Sequence, residues 1–499
     1  MAQDKELRNP LLDAASASEK WTSATSSPAS ISNSNSHAPD PESGGIVLVP
    51  KVGEQDGGKS SVSQVAFNIV NAVVGAGIVG LPHALQMSGL WTGVFVMLFM
   101  AWLTDVSVRL LVDTGIRAGV KDYEALMEYC FGLKGYITVL VTMFCFDFGA
   151  LLSYLLIMGS VGRDILDVFL SDDIIHGDGP LSDENRRRQL CICVLSVVTI
   201  LPLCLFRDIS KLENVAFVST LTVVLVIGVI VYAALAGDTC RKQMDPCPHP
   251  TADEPWYDDW WGDDVFTAFG IFAFSFVCHD CAFLIFNTLE NPSPGRWKTA
   301  TRSSLATAAV ICLFFAIPGY LAFRDGTDDN VLSNFAIMDT PIIIVRGLYV
   351  LTMAFTYPIS FFVCRHIINE IYNRLRLRRK GIDHVPGTPS GTSVQNTSRA
   401  RHLITSLPIF AVSVGISLAT QDLGSAMSLT GNVAAVTLAF ILPPLCALAH
   451  FARSASQEQS ITYGTIMKAN PGACLLLVFG ASAMVLCTSV TIYGIVHPE

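Results

Sequence analysis

The sequence predicts an all-α, polytopic membrane protein, and three observations carry that prediction. The chain of 499 residues is 51% hydrophobic and only 15% charged, against about 25% charged for an average soluble domain. Apolar runs of roughly the 20 residues needed to cross a bilayer recur from residue 62 to the C-terminus. The first of them, NIVNAVVGAGIVGLP from Asn68 to Pro82, packs three glycines and a proline into eight positions. A helix long enough to span is thus built to come undone in its middle. The net charge of −10 and the lack of a basic repeat or reader motif give no reason to expect nucleic acid.

Residues 1–60 are rich in Ser, Asn and Gly with no periodic apolar face, so they are expected to form a disordered cytosolic tail. No short apolar core with a small-residue cleavage site marks a signal peptide. The membrane domain then occupies 61–499. Eleven transmembrane helices are predicted, at 62–84, 91–113, 137–162, 189–206, 213–236, 265–289, 303–323, 341–365, 403–420, 426–450 and 472–496. Lys and Arg set their orientation, because cytoplasmic connections hold the excess of basic residues. With the N-terminus in the cytosol, 24 of the 32 basic residues fall inside, many of them in the cytosolic loop 366–402. Outer connections such as DDIIHGDG and EPWYDDWWGDD are acidic. Arg186, Arg187 and Arg188 are the blemish in this scheme.

Most of the fourteen cysteines lie inside apolar spans, where a cysteine is a small hydrophobe. Cys240 and Cys247 are the exception. They share the outer loop TCRKQMDPCPHP on the oxidising side, so a disulfide competes there with two free thiols. VCHDC (Val277 to Cys281) lies within a span and has no second cluster, so no bound metal is expected beyond a transported ion. No nucleophile elbow, phosphate loop or metalloprotease helix appears in a plausible context, and no enzyme or cofactor is expected.

Spans one and six carry the functional signal. Glycines help helices to pack closely in membranes. Here, however, Gly75, Gly77 and Gly80 are clustered, Pro82 follows them and Asn71 precedes them. Interrupting a hydrogen-bond ladder in hydrocarbon costs several kcal/mol for each freed group unless something binds it. Transporters built from inverted repeats carry one interrupted helix per repeat, with the site between the two. In a five-span repeat the counterpart is span six, DVFTAFGIFAFSFVCHDCAFLIFNTL. It holds Gly270, Ser275, His279 and Asp280 in an aromatic-apolar run, and ionisable groups at such depth are usually functional.

FNIVNAVVGAGIVGLP, FAFSFVCH and LENPSPGRW resemble the amino acid/auxin permease family, in particular its sodium-coupled neutral amino-acid transporters and vacuolar amino-acid transporters. The similarity runs over residues 61–450. It implies eleven spans in a LeuT-like five-plus-five inverted repeat, a cytosolic N-terminus, and transport of an amino acid, expected to be neutral, coupled to Na+ or H+. A vacuolar, lysosomal or plasma membrane suits these properties equally. The rival reading is a sensor with the same fold that binds an amino acid without moving it and signals through unknown partners of its tail.

The roles expected of individual residues follow. Backbone N–H groups at Gly75, Ala76 and Gly77 face the substrate carboxylate, as an opened helix N-terminus binds anions. Carbonyls of Phe272, Ala273 and Phe274, where span six is expected to open, accept the substrate ammonium, and Ser275 shapes the pocket. Asn71 matches the family's asparagine near the cation, against the alternative of an interhelical hydrogen bond. His279 matches the family's Cys-His pair and is either titratable or structural. Thr352, Thr356 and Ser360 share one face of span eight and offer hydroxyl oxygens to a hard cation; bonding to their own helix is the alternative. Asp147 sits deep in span three, where sodium-coupled relatives tend to carry a neutral residue. It offers a second coupling route, a proton taken up and released in each cycle. Tyr154, two turns on, lines the same pocket.

Overall fold

The computed structural model describes residues 60–170, 179, 181–205, 222, 224–232, 259–336, 340–379, 399–456 and 470–497. Nearly all of the expected tail, the Cys240–Cys247 pair, much of span five and residues 380–398 lie outside the described residues. The described chain is helical, and its one isolated bridge joins Ser60 to Leu289. Among the described residues eight helices are long and apolar enough to cross a membrane, and a bent pair, Val62–Val73 and Gly77–Ser88 at 53°, makes a ninth if counted as one span. The eight correspond to spans two, three, four and seven to eleven. Span six is two short helices, Val265–Phe276 and Ala282–Thr288.

Several helices outrun their apolar cores. Span three belongs to a helical run from Tyr123 to Phe169, not 137–162, with a kink at Gly132, whose φ of 64° is open to a residue without a side chain. Tyr123 fixes the start of that run by donating its hydroxyl to the Leu438 carbonyl of span ten, 2.9 Å away. Span seven begins at Pro294, capped by Ser293. Span eight extends to Arg379 and span nine starts at Arg399, which narrows the expected loop 366–402. The extension of span eight is held by side chains: Arg374 pairs with Glu128, and Tyr136 donates to Glu370 at 2.9 Å.

Two of the three consecutive arginines that spoiled the charge asymmetry are accounted for by burial, while Arg186 is exposed and meets Asp183 at 3.6 Å. Arg187 pairs with Asp167 at 2.8 Å and Arg188 donates to the Thr420 carbonyl at 2.9 Å, both from buried positions. Beside them Arg163 bonds Asp164 at 2.6 Å, and Asp164 also meets Arg346 at 3.4 Å. Asp164 and Arg346 have no exposed side-chain surface. Arg346 further donates to the Leu332 and Phe335 carbonyls, at 2.8 and 2.9 Å, which pins the connection before span eight. These charges are structural and carry little topological information.

Span ten packs on span six backbone to backbone. A Cβ on Gly431 would overlap the Gly270 carbonyl, and one on Gly270 would overlap Ser428. Ser428 closes the contact by donating to the Thr267 carbonyl at 2.8 Å. Gly431→Ala or Gly270→Ala is therefore expected to destabilise the protein by an overpacking cost of about 1–3 kcal/mol. Gly472→Ala, whose methyl meets open space, is expected to leave thermal unfolding in detergent unchanged.

Candidate functional site

Spans one and six run antiparallel and are tied to each other at both ends. At one end, Ser60 N–H donates to the Thr288 carbonyl at 3.0 Å, and Glu290 N–H donates to the Ser60 carbonyl at 2.9 Å. Ser61 then starts the first helix with a capping box completed by Gln64. At the other end, Asp264 N–H donates to the Met87 carbonyl at 3.0 Å and Leu90 N–H to the Asp259 carboxylate at 3.1 Å. Gly262 lies so close to Met87 and Gly89 that a Cβ on it would overlap their backbone.

Between these ties both spans are interrupted. The first half of span one ends at Val73. A 3-10 turn occupies Ala76–Gly80, and a new α-helix starts at Leu81 with Pro82 in its first turn, where a missing N–H is harmless. Span six stays helical through Phe276 and opens at Val277–Cys281. The opening comes later than expected, so the Phe272 carbonyl remains inside the helix. The carbonyls without an intrahelical partner are those of the last turn, Ala273 to Phe276.

The two interruptions meet. Gly77 sits against Ser275: an added Cβ would lie 3.0 Å from the Ser275 Cα and would overlap its hydroxyl oxygen. Ser275 itself donates to the Ile271 carbonyl at 2.9 Å. The opened turn of span one, with the N–H groups of Gly75, Ala76 and Gly77, therefore lies against the last turn of the first half of span six.

The side chains around this junction divide into three groups. Phe272, Ala273 and Phe274 are buried, and the Phe274 ring packs on Phe146 at 5.5 Å between centroids, bringing span three to the site. Asn71 is half-buried in the last turn before the break of span one. On span eight, Thr352 and Thr356 donate to the Leu348 and Thr352 carbonyls of their own helix, at 2.9 and 2.8 Å. Ser360 lies near the Asp147 carboxylate and the Tyr154 hydroxyl of span three. His279 is fully buried with no hydrogen-bond partner on either ring nitrogen, and it is not among the groups acting on Asp147.

Two residues to which the sequence reading assigned no role join the cluster. Asp280, in the opening of span six, is half-buried. Tyr349 is fully buried beside Tyr154 with its hydroxyl unpartnered. Its place three residues before Thr352 puts it on the hydroxyl-bearing face of span eight, a signal already present in the sequence.

A family model described as transmembrane amino acid transporter protein matches residues 58–493. The chain belongs to the transmembrane amino acid transporter family. It is 30% identical over 434 residues to the protein named "Putative sodium-coupled neutral amino acid transporter 11" of Mus musculus, covering 87% of this chain and 85% of that one. Identity to "Vacuolar amino acid transporter 2" of Saccharomyces cerevisiae is 25% over 450 residues, covering 90% and 87%. A crystal structure of MhsT in complex with L-phenylalanine aligns with a TM-score of 0.48 at 12% identity, covering 87% of this chain and 99% of that one. Membership of the family and the run of apolar helices make this an integral membrane protein.

The contact between Gly77 and Ser275 generates an ordered expectation. Gly77→Val should abolish amino-acid uptake into proteoliposomes, and Gly77→Ala should reduce it at least tenfold. Gly75→Ala should be the mildest, because its methyl meets only the Ala72 carbonyl at 3.6 Å. Equal uptake by all three would remove the contact from the site.

Proposed function

We propose that the chain is a secondary active transporter that holds a zwitterionic amino acid where spans one and six break. The observation that carries this reading is the apposition of the two interrupted backbones at Gly77 and Ser275. In this scheme the N–H groups of Gly75, Ala76 and Gly77 bind the carboxylate. The carbonyls from Ala273 to Phe276 bind the ammonium, and Tyr154 and Ser275 border the side chain. The antiparallel ties between spans one and six support an architecture of eleven spans in which two five-span sets are inverted copies, with span eleven outside them. The relatives' names, with their sodium coupling and neutral amino acids, make those the first conditions to test.

Sodium coupling would use Asn71 with Thr352, Thr356 and Ser360. The two threonine hydroxyls donate to their own helix, which leaves their oxygen lone pairs available to a cation. Proton coupling would use Asp147, and the unpartnered Oδ2 of that buried carboxylate favours keeping this second reading.

Flux into proteoliposomes, with sodium and pH gradients imposed separately, tests both. A labelled amino acid that accumulates against its gradient establishes transport, whereas binding without accumulation would make the protein a sensor. If sodium drives uptake, Thr356→Val should raise the sodium concentration for half-maximal flux at least tenfold. If protons do, Asp147→Asn should abolish the pH dependence.

A further inference from the structure

The arginines at the inner end of span eight fall into two groups. Arg365 and Arg374 are buried and used within the bundle: Arg365 donates to the Cys204 carbonyl at 3.0 Å, and Arg374 pairs with Glu128 of span three. Arg376, Arg378 and Arg379 are exposed, and among the described residues no carboxylate lies within ion-pair distance of them. Glu370 of the same helix accepts from the Tyr136 hydroxyl at 2.9 Å. The helix runs on without interruption from Thr340 to Arg379, so these side chains sit on a fixed scaffold.

Two of the three exposed arginines share a face with nonpolar surface. Tyr372, Leu375, Arg376 and Arg379 follow the i, i+3, i+4, i+7 spacing of one side of a helix. Tyr372 is 54% exposed and Leu375 is 40% exposed, so neither is consumed by packing. Arg378 lies about a third of a turn away from the middle of this face. The face continues the outward side of span eight, since Tyr372 and Arg376 stand about seven turns beyond the exposed Gly347 and Leu351. Span nine adds to it. Its Arg401 stacks over the Tyr372 ring at 4.7 Å and donates to Asn369 at 3.0 Å and Asn373 at 2.6 Å.

We propose that Tyr372, Leu375, Arg376 and Arg379, with Arg401 beside them, bind anionic lipid headgroups of the leaflet on the cytosolic side. The charge asymmetry that orients the chain asks only for basic residues on this side. It does not ask them to line one helix face together with an exposed tyrosine and leucine. Guanidinium forks match phosphate and carboxylate oxygens of a headgroup, and an aromatic ring with a polar tip suits the boundary between headgroup and acyl chain. An acidic protein would match the arginines as well, but it would not call for a face that prolongs the outward, lipid-side stripe of span eight. The proposal stands apart from the transport reading.

The experiment uses the full chain purified in detergent, titrated with phosphatidylserine or phosphatidylcholine, with the bound lipid counted by native mass spectrometry. Wild type is expected to hold phosphatidylserine about tenfold more tightly than phosphatidylcholine, and the preference should shrink as salt is raised. Arg376→Gln and Arg379→Gln should each weaken phosphatidylserine binding about fivefold, and Arg376→Lys should keep most of it. Arg378→Gln removes the same charge from another direction and should leave binding close to wild type. All three side chains are exposed, so thermal unfolding of the variants should match wild type. Equal losses in the three Gln variants would reduce the effect to net charge and overturn the face. A wild type without preference for phosphatidylserine would overturn it whatever the variants do. Capture of poly-glutamate in place of phosphatidylserine would give the arginines to an acidic protein and overturn the lipid assignment.

Discussion

The constraint on which the structure depends is that peptide N–H and C=O groups cannot be left bare in hydrocarbon. A helix meets it by bonding within itself, and spans one and six both give that up in their middles. The structure tolerates this because the two failures are placed together and clamped from both ends. Ser60 and Glu290 close one end, and Met87, Leu90, Asp259 and Asp264 close the other. Between the clamps the gap cannot be filled by a neighbouring side chain, because Gly77 and Ser275 bring the two backbones too close for one. What remains is a short stretch of backbone donors and acceptors outside the helical ladders.

How much of this was readable in the sequence depends on which physical effect left a mark there. The break of span one was legible because glycine and proline act on the backbone directly. Its partner was legible as charge in an apolar run. The position of the second opening was not. The opening was expected at Phe272–Phe274, but the helix runs on and opens at Val277–Cys281, where Asp280 sits, while Gly270 serves the contact with Gly431. The kink at Gly132 was hidden for a related reason: a single residue at positive φ interrupts a helix without disturbing the apolar periodicity on either side. The hydroxyls of span eight lay on the expected face, yet two of them bond to their own helix, a choice that spacing cannot reveal.

Charge shows the same division between what can be counted and what must be located. Counting basic residues gave the orientation and left Arg186–Arg188 as an anomaly. The structure locates Arg187 against Asp167 and Arg188 against the end of span nine. Removing one partner of such a buried pair typically costs about 3–5 kcal/mol, which suits a role in bracing span three against spans four and eight. These pairs cluster where the helices must hold their register, on either side of the broken region.

Asp147 is as deeply placed as those braces, and its Oδ2 has no partner. A paired carboxylate stabilises the helix it sits on and is then spent, because its field is cancelled within a few ångströms. An unpaired one projects its field into its surroundings, with little solvent to screen it. Asp280 is carried on the opening of span six itself, one turn past the carbonyls left bare at Phe276. Any movement that closed or widened that opening would move a charge and a set of peptide dipoles together. The junction is therefore polar in one sense, with helix-end carbonyls on the span-six side and the N–H groups of Gly75, Ala76 and Gly77 on the span-one side. That polarity matches the two ends of an amino acid.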